Sequence, residues 1–160
     1  MVLPEKSELK AELLRVLEAE LELLMASQRA AQEGATHEES KAEDDKDTRA
    51  IEQSYLARGQ AARVAELETG VQWVRAMELK RFAEDEPIAG GALVRVLEAG
   101  HERALFLAPD GGGTALGGGR VLVVTPRAPL GKALLGKSVG ELFEIGAGSK
   151  RREIEIIGVS

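Results

Sequence analysis

From Leu9 onward the apolar residues recur at intervals of three and four: Leu9, Leu13, Val16 or Leu17, Leu21 and Leu24, with charged or polar residues between them. That spacing predicts an amphipathic helix with a narrow apolar seam. Ser7 is a natural N-cap after Pro4, and Gly34 is a natural stop. The helix is therefore expected over residues 7–33, about 40 Å long at about 1.5 Å per residue. A second seam (Ile51, Tyr55, Ala61 or Ala62, Val64, Leu67, Val71 and Val74) predicts another helix from about residue 46 to 67 or beyond, weakened at Gly59 and Gly70. Neither helix can bury its seam alone. Ala57, Ala61, Ala62 and Ala65 let a neighbour approach closely, so the expectation is an antiparallel coiled-coil hairpin. A larger bundle would need more helices of this length, and the remaining sequence offers none.

Past residue 84 the period changes from helical to alternating. Residues 92–97 (ALVRVL), 103–107 (RALFL), 120–125 (RVLVVT), 142–145 (LFEI) and 153–159 (EIEIIGV) are short, β-branched or alternating, and bounded by Gly, Pro or Asp. These features predict strands. The glycine-rich stretch PDGGGTALGGG is expected to be a flexible turn. It lacks the GK[ST] ending and the following helix of a phosphate-binding loop. Residues 128–136 (APLGKALLG) predict a short helix with Pro129 in its first turn. The expected fold class is α+β: a coiled-coil hairpin over residues 1–83, then a small antiparallel β domain over residues 84–160 with its sheet curled over the short helix. Fourteen of the 18 glycines lie between Gly90 and Gly148, which supports a boundary near EDEPIAGG.

The chain has 160 residues, 44% hydrophobic and 30% charged, as expected of a folded soluble protein. Aromatic residues make up only 3%, so the cores must be built from Leu, Val, Ile and Ala. The lack of cysteine excludes disulfides, thiolate metal sites and a thiol nucleophile. The sequence shows no leader and no apolar run of membrane length, so a cytoplasmic protein without membrane attachment is expected.

The net charge is −6, and all of this excess lies in the first 80 residues. An acidic chain is a poor general nucleic-acid binder, because phosphate contacts need surplus Lys and Arg. Much of the excess sits in one place. THEESKAEDDKDT, from Thr36 to Thr48, carries six acids and two bases at the turn between the two helices. Such a run is ordinarily a solvated turn. Its alternative use is to bring carboxylate oxygens to a hard cation. Lys150, Arg151 and Arg152 read as a basic hairpin turn, His101 as a turn residue, and Trp73 and Phe82 as packing near the domain junction. Two histidines in different domains give no Ser/His/Asp arrangement. Phe82, Phe106 and Phe143 are too few for the aromatic pocket that prolyl isomerisation needs.

The segment VVTPRAPLGKALLGKSVGELFEI, followed by an alternating strand, resembles the C-terminal domain of the bacterial Gre transcript-cleavage factors. Pro129, Leu130, Leu134, Leu135, Gly136, Lys137, Gly140 and Glu141 fall on that family's pattern, with Ala128 in place of the usual serine. The order of parts, a coiled coil and then an FKBP-like sheet domain, also agrees, so the resemblance spans nearly the whole chain. It implies a monomeric partner of bacterial RNA polymerase, working where nascent RNA is present. Its C-terminal domain would dock at the rim of the secondary channel through a segment beginning at Pro129 and Leu130. Its coiled coil would enter the channel, and acids at the tip would help to hold a magnesium ion shared with the polymerase active site. On this reading the chain is not itself an enzyme and stimulates the polymerase's own cleavage of backtracked RNA.

The tip departs from the family pattern. Aligned on Ala42 and Glu43, the chain has His37 and Ser40 at the two acid positions and Lys41 at the usual Asn. Glu38, Glu39, Glu43 and Asp44 lie close by and are the candidate magnesium ligands, with Glu39 and Glu43 preferred for their spacing of four residues. Two other readings remain open: a factor that occupies the channel without stimulating cleavage, and a coiled-coil adaptor for some other protein.

Overall fold

The computed structural model describes residues 1–39 and 48–160, with side chains for residues 1–34 and 51–160. Two long helices, α1 (Lys6–Glu39) and α2 (Thr48–Ala76), precede six strands and a short helix. The strands are β1 (Leu93–Glu98), β2 (His101–Leu107), β3 (Ala115–Leu116), β4 (Val121–Val124), β5 (Leu142–Ile145) and β6 (Arg152–Val159); α3 (Pro129–Leu134) lies between β4 and β5. The chain divides into two compact units. One comprises residues 15–71, and the other joins residues 1–14 to residues 72–160.

In the helical unit, α1 and α2 form the expected hairpin. Leu17, Val64, Leu67 and Val71 are buried, and Arg63 binds Glu20 at 3.0 Å. Helix α1 runs through Gly34 to Glu39 instead of stopping at residue 33. A single glycine costs a helix about 1 kcal/mol and ends it only when the chain adopts a cap geometry. No proline follows here to force one. Helix α2 likewise passes Gly70. The expected seam fails at its upper end, where Ile51 and Tyr55 are exposed.

The sheet has the order β3-β4-β2-β1-β6-β5. It is mixed rather than wholly antiparallel, because β2 and β4 run parallel from Ala104–Val121 to Leu107–Val124. Strand β3, inside the stretch expected to be a turn, pairs with β4 through Ala115–Leu122 and Leu116–Val121. One face of the sheet carries Val94, Val96, Leu105, Leu107, Val124, Ile154 and Ile156, packed with Leu134 of α3, Phe82 and Ile88. Residues of the opposite face, including Phe106, Val121 and Val123, are buried as well.

The first turns of α1 are tied to this unit. Glu12 accepts a hydrogen bond from the Gly117 amide at 2.9 Å, and Arg120 donates to the Val2 carbonyl at 3.0 Å. Lys6 donates to the carbonyls of Lys80 and Ser160, while Lys10 donates to that of Met77. Lys6 and Lys80 both lie over the Phe82 ring, at 5.0 and 4.7 Å. Burial, with the Lys80 charge nearby, holds the Lys6 ammonium below the usual lysine range. Phe82 is buried, whereas Trp73 is 51% exposed and so does not serve as the buried packing residue expected of it.

An ion-pair cluster closes one end of the sheet. Glu98, with a side chain only 13% exposed, accepts from Arg103 at 2.7 Å and from Arg152 at 2.9 Å. Arg152 therefore belongs to strand β6 and this cluster rather than to a free basic turn. Burial pushes the Glu98 carboxyl up. The Arg103 hydrogen bond and the charges of both arginines outweigh that and hold it below the usual carboxylate range. A depressed folded-state value stabilises the fold above the unfolded carboxyl value of about 4.3, and the contribution is lost as pH falls through the folded value. Glu98→Gln should therefore flatten the acid limb of the stability curve, measured by urea unfolding at descending pH; an unchanged limb would exclude Glu98 from acid sensitivity.

Candidate functional site

Helix α3 is the best-defined element of the segment singled out by sequence. Its N-cap, Ala128, has extended backbone (φ −71°, ψ 150°) and supplies no side-chain cap, and Pro129 stands at the helix start. Gly131 lies against the backbone of Thr125 so closely that a β-carbon there would sit 1.9 Å from the Thr125 oxygen. Leu134 is fully buried beneath the helix. Pro129 and Lys132, three residues apart and both exposed, form an outward stripe that continues to Leu135, 37% exposed.

The remaining motif positions shape the return to the sheet. Gly136 donates to the Ile88 carbonyl, and the Lys137 carbonyl accepts from the Ile88 amide. Gly140, at φ 93°, holds a left-handed turn that favours glycine, and the Glu141 carboxylate accepts the Ser138 amide. These residues fix a turn, which accounts for the Gly-acid pair without any catalytic duty.

The uncapped start of α3 carries a prediction. Ala128→Ser would place a hydroxyl where it can accept one of the unpaired amides of the first turn. The variant should gain about 0.5–1 kcal/mol in urea unfolding. No gain would mean that these amides are already satisfied by solvent.

The candidate residues fall in different places. Pro129 is exposed, but Leu130 is partly buried and packed on the sheet core, so Leu130 is a support of the α3 face more than a free contact. Glu38 and Glu39 occupy the last turn of α1. Their side chains, together with Ser40, Lys41, Glu43 and Asp44, lie outside the described residues, and only the backbone of His37 is described. The described part of α2 starts at Thr48, and the preference for Glu39 with Glu43, which rested on helical spacing, falls on residues outside the described ones.

Among the described residues no group of three or more His, Asp or Glu side chains could hold a metal, and no helix is long and apolar enough to cross a membrane. His101 opens β2 rather than sitting in a turn, and its Nδ1 lies 3.0 Å from the Ala99 carbonyl. Phe106 is buried and Phe143 packs on the core.

Sequence reasoning missed the contact between Trp73 and Arg127, whose guanidinium lies 6.0 Å from the ring centre. A signal for it was present. Residues 111–140 contain four bases and no acid in a chain of net charge −6.

Comparison with known proteins places this segment. Residues 91–160 match the family model described as transcription elongation factor GreA/GreB, C-terminal. The search of curated proteins gives no match. Among solved structures, GreA factor homolog 1 (Gfh1) of Thermus thermophilus is 20% identical, covering 92% of this chain and 94% of its own, with a TM-score of 0.40. Gfh1 of Thermus aquaticus is 19% identical over 91% and 92%, with a TM-score of 0.40. A GreA/GreB factor from Nitrosomonas europaea is 20% identical over 59% and 78%, with a TM-score of 0.39. The segment with α3, its tight Gly131 contact and the Gly140–Glu141 turn thus lies within the part of the chain, residues 91–160, that is similar to the GreA/GreB C-terminal domain.

Proposed function

We propose that this chain is a transcription elongation regulator that binds bacterial RNA polymerase through its sheet domain. It inserts the helical hairpin into the secondary channel and stimulates the polymerase's own cleavage of backtracked RNA. The observation that carries this reading is the GreA/GreB C-terminal match over residues 91–160, on a domain whose α3 turns Pro129 and Lys132 outward. The two long helices ahead of that domain, α1 with 34 residues and α2 with 29, supply an arm of about 40–50 Å at about 1.5 Å per residue.

The division of labour follows from the residues. The sheet domain holds the factor on its partner, and the acidic tip delivers charge. Glu38, Glu39, Glu43 and Asp44 offer hard carboxylate oxygens, the donor type that magnesium takes, and two of them suffice because magnesium keeps several waters. Magnesium at such a site would activate water and neutralise the phosphate charge that develops during RNA hydrolysis. The hydrolytic centre would be the polymerase's, so the chain acts as a stimulator and not as an enzyme by itself.

The test is a stalled, backtracked elongation complex given the purified chain. Shortened RNA 3′ ends appearing faster than with polymerase alone are expected. A chain that binds polymerase and never shortens the RNA would favour channel occupancy without cleavage. A chain that binds no polymerase would leave the adaptor reading.

A further inference from the structure

The stretch from residue 111 to 140 contains no acid and carries Arg120, Arg127, Lys132 and Lys137. Arg120 is committed to the carbonyls of Gly117 and Val2, and Lys137 lies over the Phe143 ring at 5.4 Å. Arg127 and Lys132 are exposed. Arg127 stands over Trp73, the chain's single tryptophan, which remains 51% exposed. An exposed tryptophan beside an arginine is costly to leave in water, and this pairing is enriched where protein interfaces concentrate their binding energy.

We infer that Trp73, Arg127 and Lys132 form the anchor of the docking face, and that its occupant is an acidic protein segment of the polymerase. This rests on the polymerase-binding reading and adds the chemistry of the contact. The guanidinium can fork to a carboxylate in its own plane while it stays near the indole, a geometry that lysine cannot reproduce. Lys132 adds a second cation on the exposed stripe of α3, and Pro129 and Leu135 supply the apolar contact beside it. A nucleic acid is the weaker fit. Arg127, 6.0 Å from the indole centre, would compete with a stacking base for that ring, and a chain of net charge −6 has little surplus cation for a phosphate backbone.

Arg127→Glu, Lys132→Glu and Trp73→Ala are exposed substitutions, and each should fold as judged by circular dichroism and thermal unfolding. Binding to core polymerase should weaken roughly thirtyfold for Arg127→Glu, and Arg127→Lys should be intermediate. The salt dependence of the parent's affinity should flatten in the charge-reversed variants. A photo-crosslinker at position 73 should attach to a polymerase segment rich in Asp and Glu. Parent binding together with Arg127→Glu and Trp73→Ala binding within about twofold of it overturns this inference and leaves polymerase binding standing. Crosslinks only to RNA or DNA overturn it in favour of a nucleic-acid contact. A parent that does not bind polymerase overturns both.

Discussion

Gly131→Ala should unfold or displace α3 and cost about 3 kcal/mol or more, well above the usual effect of adding one methyl group. The cause is contact alone, since Gly131 lies in a helix with no positive φ. Its added carbon would fall 1.9 Å from the Thr125 oxygen, 2.7 Å from the Thr125 carbonyl carbon and 3.3 Å from the Pro126 α-carbon. All three atoms are backbone, so no side chain can turn away. The helix would have to lift, and Leu134 would leave the core it fills. Gly59→Ala is the control, because a β-carbon at Gly59 meets nothing within 4 Å. That change should be neutral or stabilising by up to about 1 kcal/mol. Urea unfolding of the two variants compares them directly. If Gly131→Ala matches the parent in stability, α3 is not clamped on Thr125 and its exposed stripe is not held in place by this contact. If it folds but is weakened, polymerase binding should fall with it, since Pro129 and Lys132 move with the helix.

What the sequence revealed was mostly local. Leu9, Leu13 and Leu17 announced the buried side of α1, and alternation in 153–159 announced β6. The misses were non-local or permissive. The parallel pairing of β2 with β4 joins segments separated by a glycine-rich connection, and no periodicity reports which strands become neighbours. Strand β3 has two residues, Ala115 and Leu116, too few to alternate, and its glycine surroundings look like a turn. Ile51 and Tyr55 kept the helical spacing, but burial also requires a partner at the same level, which spacing on one helix does not reveal. The α3 motif was legible through the resemblance carried by residues such as Pro129, Leu134 and Gly140, the last at φ 93° where backbone geometry favours glycine, whereas Gly131, where two main chains nearly touch, was not among the residues singled out. Trp73 was misread because an aromatic residue near a junction is usually packing, and only the acid-free run from 111 to 140 pointed to a surface use.

Neutralising the tip should separate docking from cleavage. In the Glu39→Gln, Glu43→Gln variant both residues keep their size and lose their charge. Binding to polymerase should stay within about twofold of the parent, because the proposed docking residues lie in the other unit. Stimulation of RNA cleavage should fall about ten- to a hundredfold, since an amide oxygen is a weaker ligand for magnesium than a carboxylate and brings no field to the site. Raised magnesium should restore part of the activity, because a ligand lost through weakened affinity is compensated by mass action. The preference for Glu39 with Glu43 rests on their four-residue spacing, and Glu38 with Asp44 is the alternative pair. The same assay on Glu38→Gln, Asp44→Asn decides which carboxylates are used. Full activity in the first variant with loss in the second moves the role to Glu38 and Asp44. Full activity in both removes the tip acids from the mechanism. For a parent that binds tightly and never stimulates, the proposed cause is His37 and Ser40, which an alignment on Ala42 and Glu43 sets at the two acid positions of the Gre-like pattern. Restoring carboxylates there, as His37→Asp with Ser40→Glu, should then confer cleavage on a factor that already docks.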